Sequence, residues 1–591
     1  MTFTKPWVKG HTQESPRPQP ASSYESSDHD EKAPHDLRTS SSSNEEVVNK
    51  EVQEGVQKAE AVTALWTTGS LVIAYLLIFL VFFVNSLQQQ ITQNLTPYVT
   101  SSFSKHALIP ITQVVSSLIS GVTKLPLAKL IDVWGRPQGF AVTVGLTTMG
   151  LVMMAGCNNV QTYAAAQVFY WVGFNGMSYV LDVFMADTSS IRNRALVFAF
   201  STCPYIATTF AGPSAAQRFY QHSTWRWAFG AFTIITPAIC LPLIVLFGMK
   251  QRQAKKEGLV QPRNSGRTWT QSLIFYYHEF DLLGLLILVA GFTLFLLPFG
   301  IASYQSSKWS TPSIITMIIL GGCLLLSFPF YEKYISRQSF VPFSLLTDRT
   351  VIGACLTAAT LFVSFYCWDQ YFTSYLQVVH NLSISNAGYV ANIYSIGSAF
   401  WSVVVAVLIR LTNRFKWLGL SAIPLMLLGV GLLIHFRDPA SPICYVIMCQ
   451  IFIAFAGGTL VITQEIAIMA AASHKDVAVV LALLSVFTGV GQAVGLSISG
   501  AIWTNTLLKY LELYLPEGSK AQAATIYASL TTQLEYAVGS PERDAIVRAY
   551  GVAQRRLCIA ATVVPILAFV WVGMWRDINV KNVKQVKGRV L

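Results

Sequence analysis

Charge is scarce in this 591-residue chain. Asp, Glu, Lys and Arg supply 12 % of it, about half the fraction of an ordinary soluble domain, which excludes a large soluble enzyme. Metal-binding and disulfide patterns are also missing. The nine cysteines contain no CxxC pair, and the nine histidines show no HExxH or HxxxH spacing, so neither the common zinc motifs nor a disulfide framework is present. No nucleophile–base pair or metal motif marks a membrane enzyme. No basic stripe with interleaved aromatics marks a nucleic-acid surface. The first residues lack the short basic-then-apolar start of a cleaved signal peptide.

What the chain has instead is apolar sequence. Hydrophobic residues make up 53 % of it, and the excess falls in runs of about twenty or more residues, the length that crosses a bilayer as a helix. The chain therefore reads as an all-α polytopic membrane protein embedded in lipid. Fourteen spans are expected, beginning near Thr67, Leu108, Gly139, Tyr163, Arg194, Trp225, Phe280, Ser313, Val351, Gly388, Trp417, Ile443, Val477 and Leu557.

The net charge of +12 is unevenly placed: up to Glu60 there are seven Lys and Arg against eleven Asp and Glu. Residues 1–64 are rich in Ser, Pro and acids and offer too little apolar surface to offset chain entropy, so a disordered cytosolic tail is expected. Loops assigned to the inside hold about 23 Lys and Arg, and short loops assigned to the outside about five, the bias that marks the cytoplasmic face. An even number of spans with a cytosolic tail puts both termini inside. The sequons at Asn94 and Asn381 then fall outside, and in the first span the polar run Asn85, Gln88, Gln89 and Gln90 is expected to end at the outer surface.

An internal echo suggests duplication. LIDVWGR at 130–136 follows the second span and LIRLTNR at 408–414 follows the tenth. Parallel six-helix halves with two inserted helices would produce it. The expected organisation is a half at 65–250, a linker with two helices at 251–349, a half at 350–575 with an external loop at 507–556, and a cytosolic end at 576–591.

Asp132, Gly135 and Arg136, between spans 2 and 3, resemble the loop motif of the major facilitator superfamily, which implies that superfamily's fold in a fourteen-helix, 6 + 2 + 6 form. The resemblance makes this loop a gate: glycine permits the tight turn, and the charges pair with neighbouring helix ends in one conformation and release them in another. Asp187 and Arg194 look like the partners, and Arg414 stands at the matching place in the second half. Pro137 replaces the usual second basic residue.

Further stretches resemble the fungal siderophore–iron transporter family within that superfamily. They are ADT at 186–188, EFDLLG at 279–284, YCWDQY at 366–371, SNAGY at 385–389, NIYS at 392–395, GAIWTN at 500–505 and GSPERD at 539–544. The likeness covers everything but the tail and is nearest to importers of fusarinine-type ferric siderophores. It implies proton-driven import of an intact ferric siderophore across the plasma membrane, with endosomal vesicles as a further location. It implies a monomer with no nucleic-acid partner, no metal ligands and no cofactor of its own, the iron being carried within the substrate.

Ionisable residues inside spans are functional candidates by default. Asp182 (span 4), Asp369 (span 9) and Glu465 (span 12) are the proton-coupling candidates, on spans that correspond to cavity-lining helices of the superfamily. Desolvation favours the neutral form of a carboxyl group, which suits a side chain that must take and release a proton. Asp182 has the alternative of a helix-end charge touching the gate, and Glu465 that of a structural carboxylate paired with Arg410 or Arg414. Helical spacing puts Trp171, Asn175, Tyr179 and Asp182 on one stripe, and places Tyr366 beside Asp369. Together with Tyr371, Asn392 and Tyr394 these are the substrate-binding candidates. Tyr371 can equally belong to an interfacial aromatic belt. The amphipathic stretch at 541–555 is either a lid or a surface helix. A proton antiporter exporting drugs or toxins, and a non-transporting nutrient receptor, remain the competing functions.

Overall fold

The computed structural model describes residues 65–582, apart from 107–108, 134, 190, 259–267, 280, 303–304, 306–307, 337–344, 346 and 473–475. The tail expected at 1–64 and residues 583–591 of the C-terminal end lie outside the described residues. Fourteen long helical segments follow one another: α1 (Thr68–Ser102), α2 (Ile109–Val133), α3 (Arg136–Gly156), α4 (Val160–Thr188), α5 (Ile191–Thr202 and Pro204–His222), α6 (Trp225–Lys256), α7 (Leu282–Ile301), α8 (Pro312–Tyr334), α9 (Arg349–Asp369 and Phe372–Val379), α10 (Ile384–Ala391 and Ile393–Thr412), α11 (Lys416–Phe436), α12 (Ile443–Ala471), α13 (Val477–Tyr514) and α14 (Pro541–Val563, continuing to Ala568–Gly573). Twelve of them are long and apolar enough to cross a membrane. The other two, α2 and α4, have 25 and 29 residues and carry Lys124 and Asp182.

Local chemistry sets the ends and breaks. Thr67 and Ser70 cap α1 reciprocally, Asn159 accepts from the Thr162 amide at 2.7 Å to start α4, and Ser540 caps α14. These side chains satisfy amides that a helix start leaves open. The kink in α5 falls at Cys203–Pro204, where proline has no N–H to donate.

The helix pairings repeat. In the first six helices, α3 packs on α4, α2 on α4, α1 on α5 and α6, and α3 on α6; in the last six the corresponding contacts are α11 on α12, α10 on α12, α9 on α13 and α14, and α11 on α14. Between the two sets α2 packs on α13 and α5 on α10. The second helix of each set thus meets the fifth of the other, as a twofold relation between like halves requires. Helix α7 rests on both α2 and α13, with Val114, Leu118, Leu296, Ala493 and Leu496 in one small apolar cluster.

Close approach carries this packing, since lipid supplies no hydrophobic drive between helices. A Cβ on Gly121 would lie 3.2 Å from the Gly489 Cα, and one on Gly173 would lie 2.2 Å from the Thr147 amide.

Three boundaries differ from the sequence reading. Helix α1 runs 35 residues, so Asn85, Gln88 and Gln90 are buried within it instead of ending at the surface. Asn94 is also inside α1, buried, donating to the Gln90 carbonyl at 2.7 Å, which removes it as a glycosylation site, whereas Asn381 is exposed in a loop. Residues 541–555 are neither lid nor surface helix: they are the first turns of α14, which starts sixteen residues before the expected Leu557. Arg543 there is buried, donating to the Gln533 carbonyl at 2.6 Å.

Gly173→Val should lower the melting temperature of the detergent-solubilised protein, because overpacking costs about 1–3 kcal/mol. Gly145→Ala, with nothing within 4 Å of the added carbon, should leave it unchanged. Equal melting temperatures for both variants would contradict the α3–α4 contact.

Candidate functional site: two cavities between the halves

Two cavities lie where the halves meet; the face that carries Gly135 and Arg136 is termed inner and the opposite face outer, following the topology expected from the charge bias. The inner one, ≈ 120 Å³, is lined by Asn85 of α1, Ser178 and Asp182 of α4, Tyr205 of α5 and Glu465 of α12. The outer one, ≈ 110 Å³, is lined by Gln90, Trp171, Tyr366, Asp369, Asn392 and Tyr394, among others. Phe174 on the inner wall and Trp171 on the outer meet edge to face, with ring centroids 5.3 Å apart. On α1 both polar atoms of Asn85 and the Gln90 oxygen have no hydrogen-bond partner although buried, a costly state that a ligand or water in the cavities would relieve.

The sequence-derived residues distribute unevenly over these cavities. Asp369, Tyr366, Trp171, Asn392 and Tyr394 converge on the outer one, and Asp182 and Glu465 on the inner one. Asn175 lines neither; its amide donates to the Trp171 carbonyl at 3.0 Å. Tyr179 is buried in the main apolar core. Tyr371 is likewise fully buried, stacked on Trp503 at 3.8 Å with 6° between the rings, because α9 breaks between Asp369 and Phe372 and turns it away from the cavity. That burial also removes it from an interfacial belt.

On the inner side Arg136 pairs with Asp187 at 2.8 Å. Gly135, at φ +109°, precedes it, and a Cβ there would meet the Gln251 amide at 2.6 Å. The Asp132 side chain lies outside the described residues. Arg194 is fully buried and donates to the Ala186 carbonyl at 2.9 Å and towards the Met469 sulfur of the other half at 3.9 Å. At the echoed turn Asn413 takes φ +55°, as asparagine can, and Arg414 pairs with Asp577. Arg414 is thereby engaged away from Glu465, whose electrostatic neighbours are Asp182 and Lys124. Both gate-type ion pairs lie within a half.

Two cations, Lys124 and Arg437, escaped the sequence reading. Lys124 on α2 donates to Ser485 on α13 at 3.1 Å and acts electrostatically on Asp182 and Glu465. The signal was its position, nine residues inside the end of α2. Arg437 at the end of α11 is 1 % exposed. It donates to the Trp368 carbonyl at 2.6 Å and to Gln554 at 2.9 Å, lies 4.1 Å from the Phe372 ring centre, and acts on Asp369.

Outside, the halves are held by Tyr98 donating to Gln377, the Ser385 amide donating to Gln217 at 3.0 Å, and His106 against Ser374 at 3.0 Å. Burial pushes the loop residue His106 down to about 4. Among the described residues no group of three or more His, Cys, Asp or Glu is placed to hold a metal ion.

The Major Facilitator Superfamily model matches residues 78–496. The chain is 53 % identical to "MFS siderochrome iron transporter 1" of Ajellomyces capsulatus over 93 % of each chain. It is 47 % identical to "MFS siderochrome iron transporter D" of Aspergillus fumigatus, over 95 % of this chain and 93 % of that one. To "Siderophore iron transporter mirB" of Emericella nidulans it is 46 % identical, over 93 % and 91 %. In fold it resembles the inward-facing, unoccupied bacterial homologue of the human lysosomal transporter Spinster, at TM-score 0.55 and 15 % identity, covering 86 % of this chain and 98 % of that one.

Arg136→Ala should slow exchange of ligand across the membrane about fivefold, the equivalent of ~1 kcal/mol for a partly exposed ion pair, while leaving ligand binding near normal. The swap of Arg136→Asp with Asp187→Arg should restore most of the rate. Equal loss of binding and exchange in the single variant would contradict a gate.

Proposed function

We propose, from the premise that this chain belongs to the siderochrome iron transporter family of the major facilitator superfamily, that it imports intact ferric siderophores by proton-coupled alternating access. The likeness to relatives of that name over more than nine-tenths of both chains carries this reading. It operates in the plasma membrane, with endosomal vesicles as a second station, as a monomer of fourteen spans whose two termini are cytosolic. Iron enters as cargo inside its organic ligand.

The cavities support the cycle. Small-molecule sites enclose about 300–1,000 Å³, whereas each cavity here has ≈ 110–120 Å³. A bulky ferric ligand therefore needs the halves to part. Parting on the outside breaks Tyr98–Gln377, Ser385–Gln217 and His106–Ser374, and parting on the inside separates Arg194 from Met469. The outer cavity offers aromatic faces and amides (Trp171, Tyr366, Tyr394, Gln90, Asn392) around one acid, Asp369, groups suited to an organic rim of low charge. Asp369 stands at the ligand, while Asp182 and Glu465 stand deeper, where a proton taken from outside is released inward.

The deciding experiment is uptake of radioactive iron, presented as several purified ferric siderophores, in yeast lacking its own carriers, with and without a protonophore. Accumulation of one siderophore class that collapses with the protonophore is expected. Surface-localised protein without accumulation would overturn import and leave export to be tested. Asp369→Asn should cut uptake about tenfold or more, equivalent to ~1.4 kcal/mol, at near-normal surface expression; undiminished uptake would remove Asp369 from the mechanism.

A further inference from the structure

Lys124 has no task in the cycle described above, yet it occupies the seam between the halves. At the α2–α13 crossing the backbones touch: a Cβ on Gly121 would lie 3.0 Å from the Ser485 carbonyl oxygen, and one on Gly489 would lie 2.8 Å from the Ser117 carbonyl oxygen. One turn further along α2, the Lys124 ammonium crosses the seam to the Ser485 hydroxyl at 3.1 Å. It acts on one acid from each half, Asp182 of α4 and Glu465 of α12, and those acids act on each other. The remaining titratable group of that cavity is Tyr205 of α5, whose hydroxyl is engaged by Gln89.

We propose that Lys124 is a positioning residue for proton coupling, the shared counter-ion of Asp182 and Glu465 that joins the two halves on the inner side while one of those acids is ionised. This rests on the proton-driven cycle proposed above. With one proton on the pair, lysine and acids together are neutral. With none they carry one negative charge, and with two they carry one positive charge. Net charge away from water is costly, so the closed seam suits the singly protonated state, and gaining or losing a proton favours opening the cavity to water. A lysine merely filling space beside Ser485 would show no such dependence on the acids.

The test uses purified full-length protein in proteoliposomes, with a radioiron-loaded ferric fusarinine as probe. Exchange across the membrane without a gradient is compared with accumulation driven by an imposed pH gradient. Glu465→Gln, which leaves a neutral Lys124–Asp182 pair, should keep exchange and lose accumulation. Lys124→Gln should slow exchange by about tenfold or more, as expected for stranding a carboxylate inside the bundle. Replacing both acids as well, Asp182→Asn and Glu465→Gln on top of Lys124→Gln, strands no charge and should bring exchange back to within about threefold of the Glu465→Gln protein, and Lys124→Arg should resemble the unaltered protein. A triple variant no faster than Lys124→Gln, or a Lys124→Gln protein with unaltered exchange and accumulation, overturns the proposal. Where Lys124→Gln fails to fold, Ser485→Ala tests the same contact: accumulation should fall relative to exchange, and an unchanged ratio overturns it. Absence of exchange in the unaltered protein would instead sink the siderophore reading itself.

Discussion

The two halves touch backbone to backbone where α2 crosses α13, and the rest of the architecture depends on that contact. Gly121 and Gly489 leave no room for a side chain between the helices. Because lipid gives helices no hydrophobic reason to associate, such approach and the dispersion it allows hold a seam together. The same constraint explains where the polar groups are. A charge facing lipid is expensive, so Lys124, Asp182 and Glu465 gather beside the seam, and Asp369 lies above them with Arg437 within electrostatic reach.

The halves are alike in pairing and unlike in chemistry. Gly135 and Asn413 occupy matching turns with positive φ, each followed by an arginine paired with an aspartate. The partners differ: Asp187 ends the fourth helix of one half, and Asp577 follows the sixth of the other. In the first half Lys124 reaches across the seam to Ser485. The frame repeats, while single positions give the two halves different charges.

Much of this was legible in the sequence because it depends on run length and spacing. Apolar runs of bilayer length pointed to the twelve helices that are long and apolar enough to cross a membrane, and the echo at 130–136 and 408–414 anticipated the matching turns. The acids Asp182, Asp369 and Glu465 stood out for the cost of placing them in a span. Pairing was not legible. Periodicity gives the face of a helix but not the helix that faces it, so Tyr371 could not be seen to stack on Trp503. Lys124 and Arg437 were not singled out, because a lone cation in the sequence does not reveal which groups face it. The start of α14 was missed because its first turns are charged and fall outside the apolar run, although Arg543 is buried and hydrogen-bonded.

Helix α7 touches α2 of one half and α13 of the other. It therefore covers the seam from the lipid side over Val114, Leu118, Leu296, Ala493 and Leu496. When the halves separate there, an uncovered seam would open sideways as well as towards water, and acyl chains could enter or an amphiphilic cargo escape. In the proposed cycle, a helix spanning the joint acts as a gasket, keeping the passage leak-tight towards the bilayer while the halves on either side of it move.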